Sequence, residues 1–351
     1  MNKETKTLII LTPGFPANEA DTTCIPPQQI FVKALKKIDP SLNIIVLAFQ
    51  YPFVSKKYKW HGVDVISFNG RNKGKLYRAM IWQQVWQTLK KIKKENTVTG
   101  ILNFWLGECA LIGKYFAKRN GIKQFTWILG QDAKNGNRYF SLIKPQPDTL
   151  IAVSDFVSAE FLKNYSIKPS HVIPVGIDVS IFRQEKFTRN IDVMGAGSLI
   201  SLKKYDVFIK IIKELRSSFP DINSIICGEG EEKENLQVLI NDLGLQKNIT
   251  LPGEVPHSEV IRLMQRSKIF LHTSAYEGFG SVCSEALFAG CQVISFCKPM
   301  HKNFEHHHVV NTESEMVEKT LEIMNNPNVS HASVLNYSIE DIAQKVKDIF
   351  N

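Results

Sequence analysis

Two glutamates set in a glycine-rich run are the residues of this chain best suited to bind or transform a polar ligand. The run is Tyr276-Glu277-Gly278-Phe279-Gly280-Ser281-Val282-Cys283-Ser284-Glu285-Ala286-Leu287-Phe288-Ala289-Gly290. Its first two glycines let the backbone turn tightly and approach a ligand closely. A helix predicted from Ser281 would aim unpaired N–H groups back at that turn, which makes a seat for an anion or for sugar oxygens. Ser281 and Glu285, at i and i+4, share a helix face. A carboxylate there can accept hydrogen bonds from both hydroxyls of a vicinal diol such as ribose. A plain helix cap with an acid set for the dipole would account for Glu277. It leaves the two glycines, the second acid and the closing Ala289-Gly290 unexplained.

Such residues need strands to place them, and the chain supplies short aliphatic runs alternating with amphipathic stretches. Strands are predicted at Thr7–Thr12, Asn43–Phe49, Asp64–Phe68, Gly100–Trp105, Gln124–Gly130, Thr149–Ser154 and His171–Val175. A second series covers Ile191–Gly195, Asn223–Cys227, Ile249–Leu251, Ile269–Thr273 and Gln292–Phe296. Helices are predicted between many of them, among them Pro27–Ile38, Lys75–Glu95, Lys204–Ser218, Ser258–Arg266, Ser281–Ala289 and Glu313–Asn325. This rhythm predicts parallel sheets with crossover helices, and the unbroken apolar strands predict that both sheet faces are covered. The expected fold class is α/β, with two facing doubly wound Rossmann-like domains. The first spans residues 1–182 and is joined by a terminal helix within 338–351; the second spans 189–332, with the polar stretch Arg183–Asn190 as linker. Ligands of such sheets bind beyond the carboxyl ends of the strands.

A chain of 351 residues, 44% apolar and 22% charged, suits two globular domains. It contains no run of about 18 apolar residues, the minimum for a membrane-spanning helix. Its first residues lack a secretory cleavage pattern, so a cytoplasmic protein is expected. Its six cysteines form no C-x-x-C pair and read as buried, reduced thiols. Residues 1–180 hold 25 Lys and Arg against 12 Asp and Glu, and residues 181–351 hold 18 against 22, so the halves carry +13 and −4. The basic half implies an anionic partner. Nucleic acid, an anionic membrane surface and a phosphorylated acceptor all fit.

The pattern E-G-F-G-x-x-x-x-E-A-x-x-x-G resembles the two-glutamate signature of the family-4, group 1 glycosyltransferases, which have the GT-B fold. Further segments resemble that family in order: Ile151-Ala152-Val153-Ser154; Val172-Ile173-Pro174-Val175-Gly176-Ile177-Asp178 with Phe182; Gly195-Ala196-Gly197-Ser198-Leu199 through Lys203-Lys204-Tyr205-Asp206; Cys227-Gly228-Glu229-Gly230; and Leu251-Pro252-Gly253-Glu254-Val255. The resemblance implies a retaining hexosyltransferase that takes a sugar from a UDP- or GDP-linked donor, without metal or other cofactor. The acceptor would be a saccharide or a lipid-linked molecule, in the synthesis of bacterial surface polysaccharide or glycolipid. It assigns Glu285 to the ribose hydroxyls and Glu277 to the donor sugar, helped by the backbone of Gly278, Phe279 and Gly280. Lys203, with Lys204, would neutralise the leaving diphosphate, beside Ser198 and Gly228. The backbone at Glu254 and Val255 would face the base, and Gly14 would be a further donor-binding residue.

Three features depart from the family. Ser198 stands where arginine is usual. The N-terminal loop Pro13-Gly14-Phe15-Pro16-Ala17-Asn18-Glu19 lacks tandem glycines. Leu129-Gly130-Gln131-Asp132 stands where a histidine-glycine pair is common, so Gln131, Asp132, Asn137 and Arg138 are the expected acceptor-side residues.

Other signals are weaker. Gly195-Ala196-Gly197 follows a strand, but Ile200 stands where a dinucleotide fingerprint needs its last glycine, and no P-loop occurs. There is no Asp-x-Asp, the metal-chelating motif of the other large glycosyltransferase fold. His306-His307-His308 read as a solvated loop, because adjacent side chains diverge and rarely share one metal ion. The basic half shows no reading helix or stacking platform for nucleic acid. A donor-binding protein without catalysis is the remaining alternative, suggested by Ser198. Residues 73–94, KGKLYRAMIWQQVWQTLKKIKK, place Ile81, Val85, Leu89 and Ile92 on one helical stripe with Trp82 and Trp86 beside it. With Lys90, Lys91, Lys93 and Lys94, this fits either an ordinary domain helix with lysines set for its dipole or a helix lying on an anionic membrane surface.

Overall fold

The computed structural model describes residues 6–183 and 187–351, so the first five residues and part of the expected linker, 184–186, lie outside the described residues. The chain forms two compact units, one comprising residues up to Gly176 together with Ile339–Asn351, the other Ile177–Ser338.

The first unit runs β1 (Lys6–Gly14), α1 (Pro26–Ile38), β2 (Asn43–Tyr51), β3 (Ser55–Trp60), β4 (Val63–Phe68), α2 (Lys75–Glu95), β5 (Thr97–Phe104), α3 (Glu108–Asn120), β6 (Gln124–Ile128), α4 (Arg138–Ile143), β7 (Leu150–Ala152), α5 (Asp155–Tyr165) and β8 (His171–Val172). Its sheet order is β3-β4-β2-β1-β5-β6-β7-β8, parallel except for the β3–β4 pair. The central strand β1 is apolar on both faces, and Thr7 through Thr12 are buried. The antiparallel edge strand β3 has the sequence SKKYKW and was not expected, because it lacks apolar alternation. Its lysines protect an open sheet edge, while Trp60 at its end is fully buried against Phe15, ring centroids 4.8 Å apart.

The terminal helix Ile339–Asp348 belongs to this unit. Ile342, Ala343 and Val346 are buried, Lys347 pairs with Asp39 at 2.9 Å, and the Phe350 ring occupies the space that a side chain at Gly100 would need.

Helix α2 matches its predicted range and buries Ile81, Val85, Leu89 and Ile92. Its tryptophans contradict the interfacial reading. Both pack against the same core: Trp82 donates its indole N–H to Glu108 at 2.7 Å, and Trp86 meets Phe116 edge-on, centroids 5.2 Å apart. Flanking the buried stripe, they are partly buried and point inward at α3, while the lysines at the C-terminal end stay exposed.

The second unit continues with β9 (Ile191–Ala196), α6 (Tyr205–Leu215), β10 (Ser224–Cys227), α7 (Lys233–Asp242), β11 (Ile249–Gly253), α8 (His257–Gln265), β12 (Ser267–His272), α9 (Ser281–Phe288), β13 (Gln292–Ser295), β14 (His307–Val309) and α10 (Glu313–Asn325), the terminal helix being α11. All its strands are parallel, in the order β11-β10-β9-β12-β13-β14. The direction of winding reverses between β9 and β12, and that reversal opens a crevice at their carboxyl ends. The division between the units falls after Gly176, ahead of the expected 182. Ile177 bonds to Tyr337 and bridges Ser338, and Phe182 packs edge-on against Phe288. Arg189, expected in the linker, donates to the carbonyls of Ser267 and Ala289 and is part of the second unit.

The three histidines are a second correction. His307 and His308 enter strand β14, His306 directly precedes it, and all three are partly buried. His307 Nε2 lies 2.9 Å from Ser295 Oγ, His308 Nε2 lies 2.8 Å from Gln292 Oε1, and His306 pairs with Glu305 at 3.5 Å. Three different partners explain the run without a shared ion.

Candidate functional site

The site is built at the winding reversal of the second unit. After β9 the chain turns through Gly197 and Ser198 to a short 3₁₀ turn, Ser201–Lys203, and Lys204 takes a left-handed conformation at φ 49° to start α6. After β10, Gly228 lies so close to the first turn that a Cβ there would stand 1.9 Å from the Gly197 carbonyl oxygen. No other residue fits at that approach. After β12, Gly280 adopts φ 73° and opens α9. The three loops are laced by backbone bonds: Gly197 N–H to Cys227, Gly228 N–H to Gly253, Leu199 N–H to Glu229 and Ala275 N–H to Leu202.

This framework brings Lys203 onto Glu277, Nζ to Oε2 at 2.5 Å, with both side chains about one-fifth exposed (20% and 22%). Thr273 pins the lysine's backbone, its hydroxyl donating to the Lys203 carbonyl at 2.8 Å. His272, at the end of β12, reaches the same carboxylate oxygen with Nε2 at 3.3 Å and also approaches Ser274 Oγ at 3.2 Å. Burial pushes the Glu277 carboxyl up, but the His272 bond and the Lys203 charge outweigh it and hold the group down at about 2. His307 below is pushed down to about 4, first by burial and then by the neighbouring His272, so its ring is neutral at physiological pH. Glu285 is buried on the first turns of α9, and its Oε1 meets His257 Nε2 at 2.9 Å.

Each glutamate therefore has one oxygen held. Among the described residues, Glu277 Oε1 and Glu285 Oε2 have no hydrogen-bond partner within the protein. An anchored carboxylate with one open acceptor can bind a hydroxyl without reorganising, and the lysine beside Glu277 can meet an anion.

The other expected residues take different positions. Gly278, Phe279 and Gly280 are buried in the turn, with Phe279 near the Tyr337 ring. Ser198, Lys204 and Glu254 are exposed and Val255 is partly buried. Gly14 lies at the end of β1 in the first unit, paired with Tyr51. Asp132 accepts backbone N–H groups from Leu106, Leu129 and Gly130 at 2.8, 3.1 and 2.9 Å; burial raises its carboxyl while these bonds oppose the rise. Asn137 caps α4 and donates to the carbonyls of Leu106 and Asp132. Gln131 and Arg138 remain exposed, with Arg138 lying over the Tyr139 ring at 5.2 Å. Thus two of the four first-unit residues hold a loop, and two face solvent.

His257 and His272 were not expected from the sequence. His272 precedes the glutamate run by a few residues in an apolar strand, and His257 stands on a different helix. His272 is local to the run, whereas only the packing of α8 beside α9 brings His257 in.

A family model described as glycosyl transferases group 1 matches residues 177–346. One component of the human phosphatidylinositol N-acetylglucosaminyltransferase is 33% identical over 126 residues, covering 35% of this chain and 26% of that protein. The chain thus spans about a quarter of the length of that relative. A 4-alpha-N-acetylgalactosaminyltransferase of Campylobacter jejuni, named for a diphospho-undecaprenol-linked acceptor, is 23% identical over 282 residues, covering 77% of this chain and 68% of that protein. In fold, the chain is similar to HepE of Anabaena, solved with UDP and glucose, at TM-score 0.72 and 14% identity over 98% of both chains. The α/β fold class expected from the sequence, with two doubly wound units of GT-B type, agrees with this similarity.

Proposed function

We propose that the chain, whose residues 177–346 match the model of the group 1 glycosyl transferases, transfers a hexosyl group from a uridine-linked nucleotide sugar to an acceptor hydroxyl, with retention of configuration and without a metal ion. The observation that carries this reading is the convergence of Lys203, Glu277 and Glu285 at the winding reversal, with one carboxylate oxygen open on each glutamate. Glu285 takes a ribose hydroxyl, Glu277 a hydroxyl of the donor sugar, and Lys203 the diphosphate. As the bond from the sugar's anomeric carbon to the diphosphate breaks, negative charge grows on the leaving oxygen beside Lys203. A fixed cation there stabilises the transition state more than the ground state. The acceptor hydroxyl attacks on the same face, its proton passing to the departing diphosphate, so no protein nucleophile is required.

The first unit is proposed to bind the acceptor, through the exposed Gln131 and Arg138, with Asp132 and Asn137 holding their loop. The names of the human and Campylobacter relatives, one a phosphatidylinositol and the other an undecaprenol-diphosphate enzyme, support a lipid-linked acceptor. We assign the protein accordingly to glycolipid or surface-polysaccharide synthesis at the cytoplasmic face of a membrane.

The test is proton NMR of the products formed from UDP-glucose, UDP-N-acetylglucosamine or UDP-N-acetylgalactosamine, with excess chelator present. Release of UDP with an anomeric configuration matching the donor is expected. An inverted product, or turnover abolished by chelator and restored by manganese, overturns the mechanism.

A further inference from the structure

We infer that His257 is a positioning residue for Glu285, and that it makes the nucleoside end of the site selective for a ribonucleotide over a deoxyribonucleotide. The inference rests on the assignment of Glu285 to the ribose made above. It begins from the sheet: β11 and β12 feed α8 and α9, which pack against each other. His257, the first residue of α8, thereby meets Glu285 on α9, 28 positions later in the sequence.

Three observations give the contact a role beyond packing. Glu285 is buried, with only 9% of its side chain exposed, and an unpartnered buried carboxylate is costly. Among the described residues its sole side-chain partner is His257, which fixes Oε1 by donating Nε2–H at 2.9 Å. Oε2 is left open, and its direction is set because Oε1 is held. A free glutamate side chain gives up rotamer entropy on binding; here that entropy is lost during folding, so the ligand gains affinity from preorganisation. A buried acceptor aimed at one hydroxyl also discriminates strongly, since a ligand lacking that hydroxyl leaves the oxygen unpaired. The neighbouring Glu277 is held in the same way by His272 and Lys203, so the second unit uses this device twice.

The experiment is calorimetric titration of the full chain with UDP, 2′-deoxy-UDP and 3′-deoxy-UDP, on the wild type and on His257→Ala, His257→Gln and Glu285→Ala. The wild type should bind UDP about tenfold or more above at least one deoxy analogue. His257→Ala should lose about tenfold in UDP affinity while its affinity for that deoxy analogue changes little, so the discrimination collapses. Glutamine places an amide nitrogen near the position of Nε2 and should restore most of it. Unaltered discrimination in His257→Ala overturns the inference, as does an equal loss for UDP and both analogues in His257→Ala and His257→Gln, which marks a purely structural role. If Glu285→Ala also binds UDP like the wild type, the ribose assignment itself falls, and the inference falls with it. Weakened UDP binding in Glu285→Ala alone keeps that assignment and removes His257.

Discussion

Asp132 in the first unit and Glu277 and Glu285 in the second are acids at the carboxyl ends of parallel strands, but their carboxylates are used differently. Asp132 accepts three backbone N–H groups and is consumed by its own loop. Each glutamate is held through one oxygen by side chains and keeps the other open. A carboxylate satisfied by backbone rigidifies a turn, whereas one satisfied on a single side by other side chains is an oriented, unused acceptor. Polar character at a strand end therefore does not by itself mark a binding group. What marks one is hydrogen-bonding capacity left over after the fold is satisfied.

The sharpest way to break this contrast is to remove the cation that the second unit holds ready. Lys203→Ala should lower turnover by about 10²-fold or more, as loss of a preorganised electrostatic group does, with a smaller effect on UDP affinity. Single-turnover kinetics beside calorimetry separates the two. Wild-type turnover in this variant would remove Lys203 from the chemistry and leave Glu277 without its assigned neighbour.

The same change in the first unit should act on stability instead. Asp132→Ala leaves three backbone donors without their acceptor, and each such loss costs about 1–3 kcal/mol when the group is buried. A destabilisation on the order of 3 kcal/mol, read from urea unfolding, is expected, while UDP affinity stays at the wild-type value. A stable variant with impaired transfer would instead place Asp132 among the acceptor contacts and dissolve the contrast.

The glutamates were legible in the sequence because their chemistry is local: the two acids, the glycines and the helix start lie within one strand-loop-helix step. The parallel strands were legible for the same reason, as in the unbroken apolar run of β1. Strand β3 was missed because an edge strand guarded by lysines does not show the alternation that identifies a half-buried one. Strand β14 was missed because a run of three histidines reads as solvated until Ser295 and Gln292 of β13 are seen as the partners of His307 and His308. His257 was missed for a deeper reason. His257 reaches Glu285 only because α8 and α9 share a sheet face, and no spacing along the chain encodes that. Helical spacing places Trp82 and Trp86 beside the buried stripe, as found, but composition does not reveal that Glu108 and Phe116 hold them against α3.

Those tryptophans change what α2 can do at a membrane, and the smallest expected effect tests it. With both rings packed against α3, the helix offers a lipid surface charge rather than aromatic anchors. Lys90, Lys91, Lys93 and Lys94 are exposed at its C-terminal end, Lys93 being bonded to Asn120 at 2.8 Å. The apolar side chains that α2 exposes most, Leu76 at 87% and Met80 at 41%, lie at the opposite end. Basic residues near an anionic surface contribute up to about 1 kcal/mol each, and the attraction fades within a Debye length. Binding to vesicles rich in phosphatidylserine should thus occur at low salt and vanish at high salt. Replacing the four lysines by glutamine should weaken it about tenfold, less than the sum of four contributions, because the cluster is only partly turned to the surface. Trp82→Phe should lose the bond to Glu108, lower stability by about 1 kcal/mol, and leave vesicle binding unaltered. Vesicle affinity that falls with Trp82→Phe but not with the lysine changes would show the tryptophans at the lipid after all, and the packing of α2 against α3 would have to open on the membrane.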